Sequence, residues 1–121
     1  MDHLFDIGGF GSECAEEAKA HLGSLATFPY LLANEKCGVE AELVAVRYGS
    51  ATYKGQIFVR NDSGITELSQ LADKTFCRPD PLSTSGWIVP SIQLRASGVD
   101  PATDLAEIVD AGGHSASVAG V

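Results

Sequence analysis

The chain has 121 residues, of which 16 are acidic and 8 are basic, so its formal net charge is −8 at pH 7. Hydrophobic residues make up 45% and charged residues 20%, a globular composition that argues against a disordered chain. This length predicts one domain, since domains usually contain about 100–200 residues. The acidic balance argues against general binding of nucleic acid or anionic membranes, because no basic field attracts a polyanion. It does not exclude a small anion held by a local site.

No apolar stretch reaches the roughly 18 residues needed to span a bilayer. The N-terminus (MDHLFD) has no basic segment followed by an apolar one, so no signal peptide is predicted. The three cysteines, Cys14, Cys37 and Cys77, form no CxxC motif, which argues against zinc and thioredoxin-like sites. Their odd number argues against a complete disulfide framework, and each is predicted to be a small buried apolar side chain.

The first half of the chain predicts a helix followed by two strands. Residues 1–14 are rich in glycine and predict an irregular lead, and residues 15–22 permit a helix. A short helix is predicted at 29–36, because proline stands near its first position and glycine follows its end. Residues 40–48 and 54–60 each contain a central apolar run and predict two strands joined by a crossing loop.

The second half alternates short helices and strands. A helix is predicted at 66–71, a strand at 74–77, a longer helix ending at about residue 97 and a last strand at 105–109. Pro90 lies inside the longer helix and removes one backbone hydrogen bond, so its first turn is expected to be bent or loose. This alternation predicts an α/β fold with helices on the faces of a sheet.

The segment DPLSTSGW at residues 80–87 is the most informative one for chemistry. Three consecutive hydroxyl residues, Ser83 to Ser85, stand at the predicted start of a helix, where backbone N–H groups are unpaired and the helix dipole is positive. Gly86 lets the backbone approach a ligand closely, so the segment could cradle a phosphate-like oxyanion. The alternative is that Ser83 or Thr84 only caps the helix.

Three further residues are candidates for a ligand site. His114 follows two glycines after a predicted strand, so its imidazole could donate to a bound oxyanion and respond to pH. Tyr53 stands before a predicted strand, where its hydroxyl could reach a cleft, and Tyr30 is a weaker candidate of the same kind. The alternatives are a surface loop histidine and half-buried aromatic side chains.

Four segments occur in an order and spacing that resemble the phosphonate-binding proteins of ABC transporters, a group that also includes phosphate, phosphite and hypophosphite binders. They are YKGQI at 53–57, RNDSGI at 60–65, DPLSTSG at 80–86 and GGH at 112–114. The similarity runs from about residue 22 to residue 113. The DPLSTSG segment together with the downstream glycine–histidine is its most specific part.

The resemblance implies a periplasmic-binding-protein type II fold, in which two α/β lobes are joined by crossing strands and hold the ligand in a cleft. It also implies that three hydroxyl side chains hold the phosphonate oxygens, that a histidine donates from the facing loop, and that two tyrosines line the hinge and the first lobe. In this sequence those residues are Ser83, Thr84, Ser85, His114, Tyr53 and Tyr30, in that order.

The chain departs from the family pattern in three ways. Family members are more than twice as long, they often have an acidic residue where Ser115 stands, and they carry an export signal. We therefore expect a fragment with a lead at 1–21, a remnant of lobe one with the crossing strands at 22–60, and the first part of lobe two with the anion loop at 61–121. Such an open site is expected to bind weakly, because the groups of a closed cleft are missing.

The function predicted on this basis is the solute-binding component of an ABC importer for phosphonate or a related phosphorus oxyanion. Its expected partners are the small oxyanion and an ABC permease, at a periplasmic or cell-surface location, with no nucleic acid. No cofactor, metal site or catalytic residue is predicted.

Two alternatives belong to other classes. An enzyme of phosphoryl or acyl transfer would use a hydroxyl or Cys77 as nucleophile and His114 as base. No GxSxG elbow, P-loop lysine or carboxylate–metal cluster supports that reading. A non-binding, truncated lobe would instead self-associate as a structural protein through open sheet edges.

Overall fold

The computed structural model describes residues 23–121. The irregular lead and helix predicted over the first 22 residues lie outside the described residues, and so does Cys14. The chain divides into two compact units, of which the first ends at Thr52 and the second begins at Tyr53. The assignment of these parts of the chain to remnants of two lobes stays a prediction.

A helix of the first unit, α1, runs Thr27–Cys37 and confirms the helix predicted at 29–36. Gly38 ends it in the left-handed conformation, with φ 65°, and donates its N–H to the carbonyl of Asn34 at 2.9 Å. Glycine suits this position because it lacks the Cβ that strains other residues at positive φ. Local signals were therefore sufficient to predict this helix and its end.

Two side chains of α1 were singled out from the sequence. Tyr30 is half-buried, and its role as a ligand residue stays a prediction. Cys37 is disulfide-bonded and half-exposed, so the expectation of a small buried apolar side chain is wrong for this cysteine. Cys77, in the second unit, is a free, half-buried thiol.

The strand predicted at 40–48 is not formed. Arg47 and Ser50 pair across a tight turn through N–H to carbonyl bonds of 2.9 and 3.0 Å in the two directions, but the preceding residues have no ladder partner in residues 23–121. Leu43 is 92% exposed, and Val44 and Val46 are exposed as well. A strand needs a neighbour for its backbone groups and a surface for its apolar side chains, and the described residues supply neither.

The second unit contains a parallel pair of strands and the elements around it. In chain order these are a 3₁₀ helix (Leu68–Leu71), the strand β1 (Thr75–Arg78), a π-helical turn (Thr84–Ile88), the α-helix α2 (Val89–Ala96), the strand β2 (Glu107–Asp110) and the α-helix α3 (His114–Ala119). The predicted strands at 74–77 and 105–109 are thus confirmed with small shifts. Mixed helices and a small sheet fit the predicted α/β fold.

The connection between the two strands explains their direction. Phe76 lies opposite Ile108 in a parallel register, and Arg78 lies opposite Asp110. Parallel strands require a crossover of a dozen or more residues, which α2 and its flanking turns provide. Because the strands are parallel, β1 and β2 end at the same edge of the sheet, and the loops that follow them meet there.

The core of the second unit lies beneath α2. Leu94 is fully buried and clusters with Leu71 and Val99. Ile57 and Val59 are half-buried against this cluster, whereas Phe58 between them is 45% exposed. Residues 54–60 therefore alternate as an extended segment does, but no described residue pairs with them in a ladder. The strand predicted at 54–60 is wrong for this reason, although its inward face was correctly expected to be apolar.

Candidate anion-binding site

The two loops of the candidate site are held together at the carboxyl ends of β1 and β2. The N–H of Ala111 donates to the carbonyl of Arg78 at 2.8 Å, and the N–H of Gly112 donates to the carbonyl of Pro79 at 2.9 Å. These bonds continue the strand pairing for two residues beyond the sheet. They bring the start of the hydroxyl loop next to the loop that precedes His114.

The hydroxyl loop begins with a local turn at Asp80. The side-chain Oδ1 atom of Asp80 accepts a hydrogen bond from the N–H of Leu82 at 2.8 Å. The backbone carbonyl of Asp80 accepts one from the N–H of Ser83 at 3.4 Å. An aspartate side chain that bonds the backbone two residues later forms an Asx turn. This turn reverses the chain after β1 and directs it into the next helical segment.

The first turn after this loop is π-helical. The position of Pro90 had led us to expect a bent or loose turn here. The carbonyl of Ser83 accepts from the N–H of Trp87 at 2.9 Å and from that of Ile88 at 3.0 Å. Pro90 has no N–H to donate to the carbonyl of Gly86, so the regular pattern of the α-helix is interrupted there. Single π-helical turns of this kind occur often at functional sites.

Ser83 lies at the centre of the site and is 7% exposed. Its Oγ atom accepts the N–H of Gly86 at 3.2 Å, so Ser83 caps the turn, as one of the two readings of the sequence proposed. The same Oγ atom lies 3.5 Å from Nε2 of His114. A hydroxyl group has one proton and two acceptor positions, so capping through the oxygen leaves the Ser83 proton free to donate.

Two glycines allow the close packing around the hydroxyl loop. A Cβ on Gly86 would lie 2.5 Å from the ring of Pro79 and 2.9 Å from the Ser83 Oγ atom. A Cβ on Gly55 would lie 2.8 Å from the carbonyl oxygen of Ser85. The backbone of Gly55, two residues after Tyr53, therefore packs directly on the hydroxyl loop.

The candidate residues differ in where they lie. Ser85, Gly86 and His114 line one cavity of about 550 Å³, together with residues 54–60 and the edge of β1. Ser83 and Thr84 are buried and half-buried, respectively. The Tyr53 ring is 67% exposed and is not among the residues that line the cavity. The structure thus brings Ser83, Ser85 and His114 together, and it shows no contact between the Tyr53 side chain and these residues.

An ion pair that sequence reasoning missed stands at the base of the site. The Arg78 guanidinium donates from Nε to Oδ1 of Asp110 and from Nη2 to Oδ2, the latter at 3.4 Å, and it lies over the ring of Trp87. The hydrogen bond from Arg78, reinforced by its charge, lowers the pKa of the Asp110 carboxyl. The signal in the sequence is that an arginine and an aspartate directly follow the two predicted strands.

Other kinds of site have no support in residues 23–121. No group of three or more histidine, cysteine or acidic side chains in this part of the chain is arranged to hold a metal ion. Its helices also lack the combination of length and apolar character that crossing a membrane requires.

The family model described as the phosphonate, periplasmic substrate-binding protein of ABC transporters matches residues 11–121. The match covers nearly the whole chain and confirms the resemblance drawn from the four sequence segments. No solved structure matches the chain. Proteins of this family bind solutes outside the cytoplasmic membrane for an ABC permease and are generally not enzymes. The chain therefore belongs to the phosphonate-type periplasmic substrate-binding proteins of ABC transporters.

Proposed function

We propose that this chain binds phosphonate or a related phosphorus oxyanion as the solute-binding component of an ABC importer, between the hydroxyl loop and His114. The observation that carries the proposal is the 3.5 Å separation between Ser83 Oγ and His114 Nε2, two polar atoms from loops that are 31 residues apart. Family membership supports the general role, and this contact supports the location of the ligand.

The chemistry of the two loops suits a tetrahedral anion. Ser83 retains a proton to donate, and Ser85 lines the cavity. The imidazole of His114 adds an N–H donor from the loop after β2. Recognition through local donors is also compatible with the net charge of −8, because it does not depend on attraction by the whole protein.

The remaining ligand residues of the proposal are Thr84 and Tyr53. Thr84 follows Ser83 in the same turn, where its hydroxyl would add a third donor to the oxyanion. Tyr53 is two residues before Gly55, whose backbone approaches Ser85, and its ring is exposed. In this scheme the protein binds and releases its solute at the periplasmic or cell surface and catalyses no reaction.

Isothermal titration calorimetry tests the proposal with methylphosphonate, phosphite and phosphate. The wild type is compared with the triple variant Ser83→Ala, Thr84→Ala, Ser85→Ala and with Ser69→Ala, a hydroxyl of the 3₁₀ helix outside the site. We expect the triple variant to bind at least about tenfold more weakly, a loss of roughly 1.4 kcal/mol or more, and Ser69→Ala to match the wild type. Equal binding by all three proteins would defeat the assignment. Circular dichroism checks that the triple variant is folded.

The alternative function is that of a non-binding protein that self-associates. It draws on the exposed apolar side chains of the first unit, among them Leu43, Val44 and Val46, and on the short two-stranded sheet of the second. Light scattering distinguishes the two functions. A stable oligomer whose melting temperature does not respond to any of the three oxyanions favours self-association over ligand binding.

A further inference from the structure

Arg78 contacts residues of both loops of the candidate site. It is the last residue of β1, and its side chain is 16% exposed, whereas that of its partner Asp110 is 51% exposed. The guanidinium carbon lies 4.6 Å from the centroid of the Trp87 ring, while the guanidinium N–H groups bond the Asp110 carboxylate. One planar group is therefore stacked and hydrogen-bonded at the same time.

The two partners of Arg78 belong to the two loops of the site. Trp87 is part of the π-helical turn, and its N–H donates to the carbonyl of Ser83 at 2.9 Å. Asp110 is the last residue of β2 and leads through a short glycine-containing loop to His114. Holding the Trp87 ring and the Asp110 carboxylate on one guanidinium thus restrains the turn that carries Ser83 relative to the loop that carries His114.

Other contacts also tie the two loops together, among them the packing of Gly86 on Pro79, and Arg78 adds the side-chain link between Trp87 and Asp110. The backbone bonds at Ala111 and Gly112 hold the bases of the two loops and do not reach the π-helical turn. The contact between Ser83 and His114, at 3.5 Å, is at the long limit for a hydrogen bond and is correspondingly weak. Phe76 also packs against Trp87, edge-on to its ring at a centroid distance of 5.5 Å.

We propose that Arg78 is a positioning residue of this binding site, which holds the Ser83 hydroxyl and the His114 imidazole at the spacing that an oxyanion requires. The inference rests on the proposed function. Arg78 is not among the residues that line the cavity, and its Nε and Nη2 atoms bond Asp110, so it acts through its partners and is not assigned as a ligand. Its charge also compensates the Asp110 carboxylate, which would otherwise repel an anion bound nearby.

Arginine is specifically required for this role. A guanidinium is flat and delocalised, so it can stack on an indole and form two parallel bonds to a carboxylate, whereas the ammonium group of lysine is a point charge. Arg78→Lys therefore keeps the positive charge and loses the geometry. The matched control is Arg95→Lys, since Arg95 forms an ion pair with Asp100 at 3.5 Å at the carboxyl end of α2, where both side chains are mostly exposed.

Calorimetry with methylphosphonate on the wild type, Arg78→Lys, Asp110→Asn and Arg95→Lys tests the proposal. We expect Arg78→Lys and Asp110→Asn to bind about tenfold more weakly, and Arg95→Lys to bind as the wild type does. Tighter or unchanged binding by Asp110→Asn would overturn the proposal, because the restraint through Arg78 and Asp110 would then not be needed for binding. Unchanged affinity in Arg78→Lys would overturn it as well.

A measurement without ligand separates this inference from the proposed function. A nuclear Overhauser effect between the His114 ring and the Ser83 Hβ protons reports their spacing in the free protein, with the His114 signals assigned by their loss in His114→Gln. The effect is expected in the wild type and in Arg95→Lys. It is expected to be lost in Asp110→Asn, which alters the side chain less than Arg78→Lys does. If the wild type binds no oxyanion, the proposed function fails while this comparison still decides the role of Arg78. Retention of the effect in both Arg78→Lys and Asp110→Asn would show that Arg78 does not set the spacing.

Discussion

Ser83 Oγ lies 3.5 Å from Nε2 of His114, and the same Oγ atom accepts the Gly86 N–H at 3.2 Å. Capping the helical turn and binding an anion looked like competing roles for this serine in the sequence. The geometry makes them compatible, because the cap uses the oxygen as an acceptor and leaves the hydroxyl proton for another partner. The cap also fixes the direction of the hydroxyl group, so the local structure prepares the donor that the proposed site needs.

Gly86 offers a test of how tightly the hydroxyl loop is packed. In Gly86→Ala the new Cβ would lie 2.5 Å from the buried ring of Pro79, which cannot rotate away as a flexible side chain would. We expect a loss of about 1–3 kcal/mol in the free energy of unfolding, together with weaker oxyanion binding. Urea denaturation measures the stability.

Gly113→Ala is the matched control for that experiment. Gly113 has an extended backbone, with φ 167°, and a Cβ there would meet no atom within 4 Å. Its free energy of unfolding should therefore stay close to that of the wild type. If Gly86→Ala were as stable as Gly113→Ala, the close approach of Gly86 to Pro79 would not be a property of the folded protein.

Leu94 tests the position of the core in the second unit. Its side chain is fully buried beneath α2 against Leu71 and Val99, whereas Ile92 on the same helix is 59% exposed. Leu94→Ala removes buried methyl groups and leaves a cavity, so we expect a loss of about 2–5 kcal/mol in the free energy of unfolding. Ile92→Ala should change it far less. Similar losses in the two variants would contradict the packing of α2 described above.

The sequence predicted those elements whose signals are local. The helix at 29–36 was predicted from its proline and its terminal glycine, and short strands were correctly predicted at 74–77 and 105–109. Central apolar runs at 40–48 and 54–60 predicted strands that the structure lacks. A strand forms only when another strand accepts its hydrogen bonds, and that partner cannot be read from the segment itself.

The candidate site could likewise be predicted only in part, because some of its contacts depend on residues that are distant in the sequence. Ser83, Ser85 and His114 could be proposed from the residue types, and the family resemblance supplied the relation between the two loops. The ion pair between Arg78 and Asp110 depends on the register of two parallel strands, in which these residues are directly opposite. Register is a non-local property, so this pair became visible only when β1 and β2 were aligned.

The Arg78–Asp110 pair predicts how stability responds to acid. The pKa of Asp110 is lowered by the Arg78 hydrogen bond, so its charged form stabilises the folded state at and above neutral pH. That contribution is fully present above the pKa of the unfolded chain and is lost as the pH falls through the lower pKa of the folded state. Asp110→Asn should therefore be less stable than the wild type at about pH 6, and the difference should shrink as the pH falls below about 4. Thermal melts of both proteins across this range measure it, and a difference that does not change with pH would show that the pair does not affect stability.

The affinity for an oxyanion tests the part assigned to His114. Its Nε2 atom lies 3.5 Å from Ser83 Oγ, so an imidazole N–H at this position can donate to an oxyanion bound at the hydroxyl loop. We expect the wild type to bind phosphite more tightly than His114→Gln does, as isothermal titration calorimetry can measure. His114 is exposed at the start of α3 and lines the cavity, so the substitution should leave the fold intact, as circular dichroism can verify. Equal affinity of the two proteins would mean that the imidazole makes no contact with the bound anion, and the ligand would then have to be assigned to the hydroxyl loop alone.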